Sequence, residues 1–510
     1  MTKICAGSKI AAQTTMLAIV ASMAALGCGT TQPVLPVAEP TTTISAPDPR
    51  LQPTFAPASV ATPAARRDQR TVERREIVAA VWRTVRDQHY DPRLGGLDWD
   101  AVRRRYEPLA LGAPSDEAFY RTLNDMIGEL GQSHMMVTGP GAEEDAGPAP
   151  GPEDDATVTA PKPPAAPAAP AASTPAPAAG APVLVTGIGD PGLTVRVIEG
   201  RPTVTAVRRG SSAARRHMAP GFIVTRIGGR SLSSSSSGAS RRAMRPVEER
   251  FAVRRSALHL LQGPVGTKVT VDYLDNDDHA AQTILEREPP SGPVRQIGHL
   301  PPLQPEARIS EIGGVGVIAF NLFLLDPLLP EIKQAMDRFR TTRVKGIILD
   351  LRGNPGGLGA MSIPVASEFV AIPTTLGTLQ FRAFSQTFTA KPSLGRTPYT
   401  GPLVILTDEG TASASEILAG GLQEAGRARV VGDSTLGAVL PSIIQALPHG
   451  AVMQMVVADF KTPKGIMLEG RGVQPDRRVL ETRAAFRAGH DPVMDAALTV
   501  LKAANQSNPR

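Results

Sequence analysis

The sequence predicts a multidomain protein in which a helical unit and a mainly-β domain precede a C-terminal α/β domain. Its 510 residues exceed the roughly 250–300 residues at which one hydrophobic core stops growing. Stretches rich in Pro and Ala interrupt the chain, and such stretches cannot bury enough apolar surface to offset the entropy lost on ordering. After about residue 300, short apolar runs alternate with helical patterns, which is typical of α/β domains.

The N-terminus predicts export followed by lipidation. Two lysines precede a mostly apolar run that ends in "AALGC" at Cys28. A basic start followed by an apolar stretch of this length indicates a signal peptide over residues 1–28 rather than a membrane span. The ending resembles a bacterial lipobox, although Leu26 stands one place nearer the cysteine than usual. We therefore expect an exported cell-envelope lipoprotein on the periplasmic side of a membrane; a secretory signal without lipid is the alternative.

Composition divides the remainder of the chain into five segments. We predict a disordered tether, a helical domain, a Pro/Ala-rich linker, a mainly-β domain and an α/β core, over residues 29–66, 67–139, 140–183, 184–290 and 291–505 respectively.

The helical domain is indicated by apolar residues at helical spacing and by a helix start signal. Val78, Val81, Trp82 and Val85 recur on one helical face. The later segment "SDEAFYRTLNDMIGEL" opens with a Ser-Asp-Glu start. The unit ends abruptly in "GQSHMMV".

The mainly-β segment alternates strand patterns and turns, as in "GLTVRVIEGRPTVTAV" and "APGFIVTRIGGRSL". It resembles a PDZ domain, with Phe222 where an Asp is usual. This resemblance implies that the loop of Gly192, Leu193, Thr194 and Val195 holds the terminal carboxylate of a bound peptide beside an added strand. The alternative is a PDZ fold that only packs against its neighbour.

The α/β core contains the apolar runs "VGVIAF", "VKGIILDLRG", "PLVILTD" and "ARVVGD", which are typical of strands buried on both faces. Two of these runs lead into turns: "LDLRGNPGG" at 349–357 is Gly-rich and "TDEGTASASE" at 407–416 is Ser-rich. Both turns follow carboxyl ends of strands, where α/β sheets place their chemistry. Glycine in the first turn allows close backbone approach to a substrate.

Together these motifs resemble the C-terminal processing (tail-specific) serine proteases. The resemblance implies a ClpP/crotonase-like core and a polypeptide substrate, possibly bound by its C-terminus. It assigns the nucleophile to Ser413, and the oxyanion donors to the N–H groups of Ala414 and of the Gly356–Gly357 turn. The alternative for Ser413 and Ser415 is a pair of residues that only caps the following helix.

The base is where this sequence departs from the family pattern, since the family's lysine position is occupied by Ala438. A subgroup resembling the tricorn protease core uses a Ser-His pair and a Glu instead. The "GQSH" segment matches that pair at Ser133 and His134, and "KGIMLEGRGVQPD" matches the acid at Glu469. His134 would take the proton from Ser413, while Ser133 and Glu469 orient the imidazole.

Other function classes have less support. Lys461 and Lys464 could provide a relocated base, but lysines in such turns are mostly solvated. The net charge of +6 is small, and the arginine clusters lack interleaved aromatic residues, so we predict no nucleic-acid partner. No zinc-protease motif occurs, and we predict neither metal nor cofactor. An inactive PDZ-bearing peptide binder and a small-molecule carrier with the same core remain as alternatives.

Overall fold

The computed structural model describes residues 63–140, 188–232, 244–289, 292, 294–295 and 303–507. The predicted signal peptide with Cys28, nearly all of the tether and most of the linker lie outside these residues. The chain divides into two units, residues 1–62 and 63–510, and every described residue belongs to the second. Within the described part of the chain, no helix is both long and apolar enough to cross a membrane.

The N-terminal region is helical, as the sequence predicts. It contains helices α1 (Pro63–Gln88), α2 (Trp99–Leu111) and α3 (Asp116–Gly128), followed by strand β1 (Met136–Thr138). The predicted tether therefore overlaps the start of α1. Val78, Val81 and Val85 are fully buried, which explains the helical spacing. Ser115 caps α3 by accepting a hydrogen bond from the Ala118 N–H.

The buried core of this helical region is shared with the C-terminal part of the chain. Its buried residues pack with Leu447, Met453 and Met455 from the C-terminal part of the chain. Strand β1 also pairs with β18 (Val452–Val456) in antiparallel register, with Val137 opposite Met453. The region that precedes the linker in sequence is thus part of the same folded body as the α/β region.

The mainly-β region packs a helix against a twisted sheet. Its elements are β2 (Ile188–Gly189), β3 (Leu193–Ile198), β4 (Arg201–Val207), α4 (Ser212–Arg215), β5 (Ile223–Ile227), β6 (Arg230–Ser231), α5 (Pro246–Leu261), β7 (Gly263–Pro264), β8 (Lys268–Leu274) and β9 (Ala280–Glu286). The main sheet has the order β3-β4-β5-β8-β9. Strand β3 is therefore an edge strand, and α5 packs against it.

The α/β region completes the chain. Its strands are β10 (Ala307–Ile312), β11 (Val315–Phe320), β12 (Gly346–Asp350), β13 (Thr374–Phe381), β14 (Ser385–Ala390), β15 (Leu403–Thr407), β16 (Arg429–Gly432), β17 (Ser442–Ala446), β18, β19 (Ala458–Lys461) and β20 (Arg477–Arg478). Its helices are α6 (Leu328–Thr342), α7 (Ser362–Ser367), α8 (Ala414–Glu424), α9 (Arg483–Arg487) and α10 (Pro492–Ser507).

Its central sheet has the order β10-β11-β12-β15-β16-β20. The strands from β11 to β20 are parallel, and only β10 is antiparallel to its neighbour. Strands β12 and β15 lie side by side with Ile347 opposite Leu403. Their carboxyl ends therefore meet at the same edge, and the turns that follow them are neighbours. Two smaller sheets have the orders β14-β13-β19 and β1-β18-β17.

A buried ion network joins the mainly-β region to these turns. Arg196 on β3 contacts Asp408, Glu409 and Glu481 at 3.3, 3.0 and 2.7 Å. Arg254 on α5 also contacts Asp408 at 3.0 Å. Burial alone would raise the pKa of Asp408, but the two guanidinium groups hold it well below its usual range. The turn before Ser413 is thus anchored by charges from the neighbouring region.

Candidate active site

The two predicted turns are joined by direct hydrogen bonds. The backbone carbonyl of Asn354, in the Gly-rich turn, accepts from the Ala412 N–H at 3.1 Å and from Ser415 Oγ at 3.0 Å. The Asn354 side chain donates to the Phe320 carbonyl at 2.8 Å. These contacts hold the Ser-rich turn against the Gly-rich turn at the end of the parallel sheet.

Ser413 adopts a backbone conformation that non-glycine residues rarely use, with φ 55° and ψ −120°. Such a conformation costs about 1–3 kcal/mol and persists only where the surroundings impose it. Here the Ser413 N–H donates to the Ala438 carbonyl at 2.9 Å and to Glu416 Oε2 at 3.0 Å. Ser413 is also the N-cap residue of α8. The helix-capping alternative thus describes the position of Ser413 but does not account for its strain, and Ser415 lies inside α8.

Glu416 is the hub of this turn. Its fully buried carboxylate accepts from the backbone N–H groups of Ser413, Gly437 and Ala438, and from the Thr435 hydroxyl. Burial raises the pKa of Glu416 to about 7, while these four donors oppose the rise by stabilising the charged form. The carboxylate thereby ties the Ser413 turn to the segment that contains Ala438.

The Gly-rich turn lies directly against Ser413. A Cβ atom added to Gly356 would lie 2.6 Å from Ser413 Cβ and 2.8 Å from the Ala414 nitrogen. Of the predicted oxyanion donors in the Gly356–Gly357 turn, the Gly356 N–H already donates to Asn354 Oδ1 at 2.9 Å. Among the described residues, the N–H groups of Gly357 and Ala414 have no hydrogen-bond acceptor. These two donors remain available for an oxyanion.

Ser133, His134 and Glu469 form a connected hydrogen-bonded group across 336 positions of sequence. Glu469 accepts from the Ser133 N–H at 2.8 Å and from Ser133 Oγ at 3.1 Å. Because the single hydroxyl proton of Ser133 goes to this carboxylate, Ser133 Oγ accepts from His134 Nδ1, which lies 2.7 Å away. The imidazole proton is then on Nδ1, and Nε2 carries a lone pair.

Burial also changes the pKa of this histidine. It lowers the pKa of His134 below its usual value, and the Glu469 carboxylate partly opposes that change. His134 itself has φ 57°, so it occupies a strained backbone conformation like that of Ser413. The ring is therefore neutral near pH 7 and can accept a proton.

The serine and histidine groups are brought together through residues 438 and 439. Ala438 accepts from the Ser413 N–H, and the next residue, Val439, donates its N–H to Glu469 Oε2 at 2.9 Å. Among the described residues, no hydrogen bond joins the Ser413 hydroxyl to His134. Such bonds are often long in substrate-free active sites and form when substrate binds.

Ala438, at the position of the family's lysine, forms hydrogen bonds through its backbone. Ala438 uses its carbonyl for Ser413 and its N–H for Glu416. Lys461 and Lys464 are exposed, and no hydrogen bond or ion pair of their side chains with a described residue is found. Neither lysine takes part in the hydrogen-bonded group around Ser413.

Asn354 and Glu416 hold the site together, a role that is not predicted from the sequence. Both lie in the motifs that locate the two turns. Asn354 lies in "RGNPGG", where Asn before Pro is a turn signal, and Glu416 follows Ser413 by three positions, as in a capping box. Both signals predict local hydrogen bonds. Neither indicates that the same side chain would join two distant turns.

The loop predicted to bind a peptide carboxylate begins at Gly192, where a side chain would be strained and would clash. Gly192 has φ 79°, and a Cβ there would lie 2.3 Å from Ser211 Cβ. Its N–H donates to Asp190 Oδ1 at 2.6 Å, so that one donor of the loop is already used. Leu193, Thr194 and Val195 continue into the edge strand β3.

Comparison with known protein families agrees with this architecture. Residues 314–479 match Peptidase family S41, and residues 70–128 match the Tricorn protease C1 domain. The first range contains the Gly-rich turn, the Ser-rich turn and Glu469. The second covers most of the helical region, ending just before Ser133 and His134. Two separate ranges of the chain are therefore similar to an S41 peptidase domain and to a tricorn C1 domain.

Curated relatives carry the same kind of name. A carboxyl-terminal-processing protease of Synechocystis sp. is 32% identical over 245 residues, covering 47% of this chain and 55% of the relative. Carboxy-terminal processing protease CtpA of Bacillus subtilis is 26% identical, covering 43% of this chain and 44% of the relative. The chain thus spans about half the length of these relatives.

A solved structure, mature CPAF complexed with lactacystin, matches 85% of this chain and 99% of its own, with a TM-score of 0.55 and 14% identity. At that identity the match establishes a shared fold only. It extends over the helical, mainly-β and α/β regions together.

Proposed function

We propose that this chain is a serine endopeptidase that cleaves polypeptides of the C-terminal processing type through an acyl-enzyme, with Ser413 as nucleophile and His134 as general base. The observation that carries the proposal is the Glu469–Ser133–His134 group, which leaves Nε2 of a neutral imidazole without its proton. Similarity to an S41 peptidase domain around Ser413 supports the same reaction class.

In the proposed mechanism, Ser413 Oγ attacks the scissile carbonyl carbon and His134 Nε2 takes the hydroxyl proton. The proton then passes to the leaving amine, and the C–N bond breaks to give the acyl-enzyme. In the second half-reaction His134 takes a proton from the water that attacks the ester; the bond between Ser413 Oγ and the acyl carbon then breaks, the proton passes to Ser413 Oγ, and the acid product leaves. The imidazolium that forms transiently is stabilised by Glu469 through Ser133, so the carboxylate acts without touching the ring.

The developing oxyanion would be stabilised by backbone donors. We assign this role to the N–H groups of Gly357 and Ala414, with Gly356 serving as the glycine that allows the two turns to touch. Preorganised donors of this kind contribute about 10²–10³-fold to the rate per donor. The strained backbone of Ser413 places its side chain at the start of α8 beside these donors.

Fluorophosphonate labelling of the exported protein tests this function directly. Wild type should be labelled at Ser413 and should cleave an unfolded polypeptide, whereas Ser413→Ala should do neither. The matched control is Ser415→Ala, since Ser415 Oγ is buried and bonded to Asn354; this variant should still be labelled. A wild-type protein that neither reacts nor cleaves, but binds peptides, would establish the inactive-binder alternative.

The substrate would be presented by its C-terminus to the PDZ-like region. Support comes from the position of β3 at the edge of its sheet beside α5, an arrangement to which a peptide strand can be added. With the Ser413→Ala protein, peptides ending in a free carboxylate should bind more tightly than their amides. Equal affinity for acid and amide would remove this role from the loop at residues 192–195.

Anchoring at the membrane is proposed from the sequence alone, because Cys28 lies outside the described residues. Lipidation of Cys28 would leave the remaining N-terminal residues as a tether between the membrane and the folded body. Palmitate labelling of the wild type but not of Cys28→Ser is the expected result. A Cys28→Ser protein that stays membrane-bound after normal processing would contradict it.

A further inference from the structure

His89 is hydrogen-bonded to Gln132, two residues before the proposed base His134, and has no part in the proposed acyl-enzyme mechanism. It follows α1 and is fully buried. Its Nε2 lies 2.7 Å from Gln132 Oε1, and its Nδ1 lies 3.1 Å from both the nitrogen and the carbonyl oxygen of Asp91. Since an amide oxygen only accepts, Nε2 carries the proton and Nδ1 accepts from the Asp91 N–H. The ring is thus a donor directed at Gln132.

Gln132 is fixed at both ends of its amide. Its Oε1 accepts from His89, and its Nε2 donates to Tyr90 Oη at 3.2 Å. The next residue along the chain is Ser133, which is held from the opposite side by Glu469. The Gln132–Ser133–His134 turn is therefore clamped between the end of α1 and the α/β region.

This clamp matters because the turn is strained. His134 has φ 57°, and a residue keeps such a conformation only when its surroundings over-determine it. The Ser133 contacts with Glu469 fix one side of the turn, and only the His89–Gln132–Tyr90 contacts fix the preceding residue among the described hydrogen bonds. A shift of about 1 Å in a reacting group can cost on the order of 10²-fold in rate.

We infer that His89, acting through Gln132, is a positioning residue that sets the Ser133–His134 turn so that His134 Nε2 faces Ser413. The inference depends on the proposed function, because it assigns His134 as the base. It goes beyond that function by assigning a positioning role to His89, the residue that follows α1. If His89 only filled space in the core, the effect of substituting it would not depend on the presence of His134.

Two substitutions separate the contacts of His89. His89→Gln can still present an N–H where the imidazole Nε2 lies, and so can keep the bond to Gln132. His89→Asn can accept from the Asp91 N–H but is too short to reach Gln132. We expect His89→Asn to lower kcat about 10–100-fold with little change in KM, and His89→Gln to recover most of that loss. Gln132→Met, of similar length, should behave like His89→Asn.

The matched control is His449→Asn. His449 Nε2 lies 2.7 Å from Glu76 on α1, so it also contacts the helical region, but it does not contact the turn. This variant should keep kcat unchanged. Urea unfolding of each variant measures the folded fraction, so that rates are compared per folded molecule.

The decisive measurement repeats His89→Asn in a His134→Ala background, with the rate of fluorophosphonate labelling as readout. If His89 acts through His134, the second substitution should have no further effect. An equal loss in both backgrounds, or no loss in either, overturns the inference. If His134→Ala alone has no effect, the proposed base is wrong; if it has a large effect and His89→Asn and Gln132→Met have none, only the inference fails.

Discussion

The two halves of the proposed active site are built in opposite ways. Ser413 lies in a turn of the α/β region whose contacts come from nearby elements of the same sheet edge, with Glu416 and Asn354 joining neighbouring turns. His134 lies in a turn of the helical region that contacts the α/β region chiefly through Glu469 and strand β1. The serine half is therefore a property of one fold region, whereas the histidine half depends on two regions packing together.

This difference bears on residue 438, the position of the lysine in the protease family that the sequence resembles. In the serine half, residue 438 provides only backbone groups. The proposed base instead follows Ser133, which lies 336 residues from its partner Glu469 in sequence. Because the helical region shares buried residues with β18, the turn that contains Ser133 and His134 is fixed by the folding of the whole body. Substitutions in the two halves should therefore have separable effects.

Substitution of the base should have the largest effect. His134→Ala removes general-base catalysis, which is worth about 10²–10⁴-fold, and should lower kcat/KM by that amount. The serine half should remain folded, so circular dichroism and urea unfolding should change little. A His134→Ala enzyme with wild-type kcat/KM would show that the serine half works without the histidine half.

The contact between the two turns of the serine half should have the next largest effect. Gly356→Ala introduces a Cβ 2.6 Å from Ser413 Cβ and 2.8 Å from the Ala414 nitrogen. Moving either turn misplaces the oxyanion donors, so we expect about 10²–10³-fold slower labelling.

The control for this substitution is Gly395→Ala. Gly395 also has a positive φ, of 70°, but a Cβ there has no described neighbour within 4 Å. It shares the backbone strain without the contact, and should cost only about 1 kcal/mol of stability. Equal rates of labelling for the two variants would contradict the proposed oxyanion site.

The serine half was also the easier half to predict from sequence. The continuous apolar runs that became β12 and β15 identify strands, and the Gly- and Ser-rich segments after them identify turns at a sheet edge. The histidine half could be located only by resemblance, since β1 has three residues and its pairing with β18 depends on contacts across the whole chain. Likewise, the bond that occupies the Gly356 N–H depends on how the Asn354 side chain folds back, which residue spacing does not determine.

A smaller effect, with a change in pH dependence, should follow from Glu469→Gln. An amide cannot accept at both positions as the carboxylate does, so Ser133 and Val439 lose part of their support, and we expect about a 10-fold lower kcat/KM. The carboxylate opposes the lowering of the His134 pKa. Its removal should therefore lower that pKa further.

The sign of the pH shift follows from the role of the base. His134 acts in its neutral form, so kcat/KM falls as the pH drops through its pKa. In wild type the midpoint should lie below the usual histidine value of about 6.5, and in Glu469→Gln it should move to lower pH still. Glu306 is exposed, so Glu306→Gln is the control and should leave the profile unchanged. A midpoint that moves to higher pH would show that Glu469 does not act on His134.

The smallest effect on kcat/KM is expected for substitution of Lys461 or Lys464. If one of these lysines were the base, its substitution would have the largest effect. Lys461 and Lys464 are exposed and take no part in the contacts around Ser413, so Lys461→Ala and Lys464→Ala should each change kcat/KM less than about twofold, as surface substitutions usually do. A lysine base would have to lie within hydrogen-bond reach of the Ser413 hydroxyl, directly or through one water. The measurement is kcat/KM for both variants and for the double variant, across the acid and alkaline limbs of the pH profile. If either substitution abolished activity while His134→Ala did not, the base would belong to the serine half, and the site would no longer depend on two regions packing together.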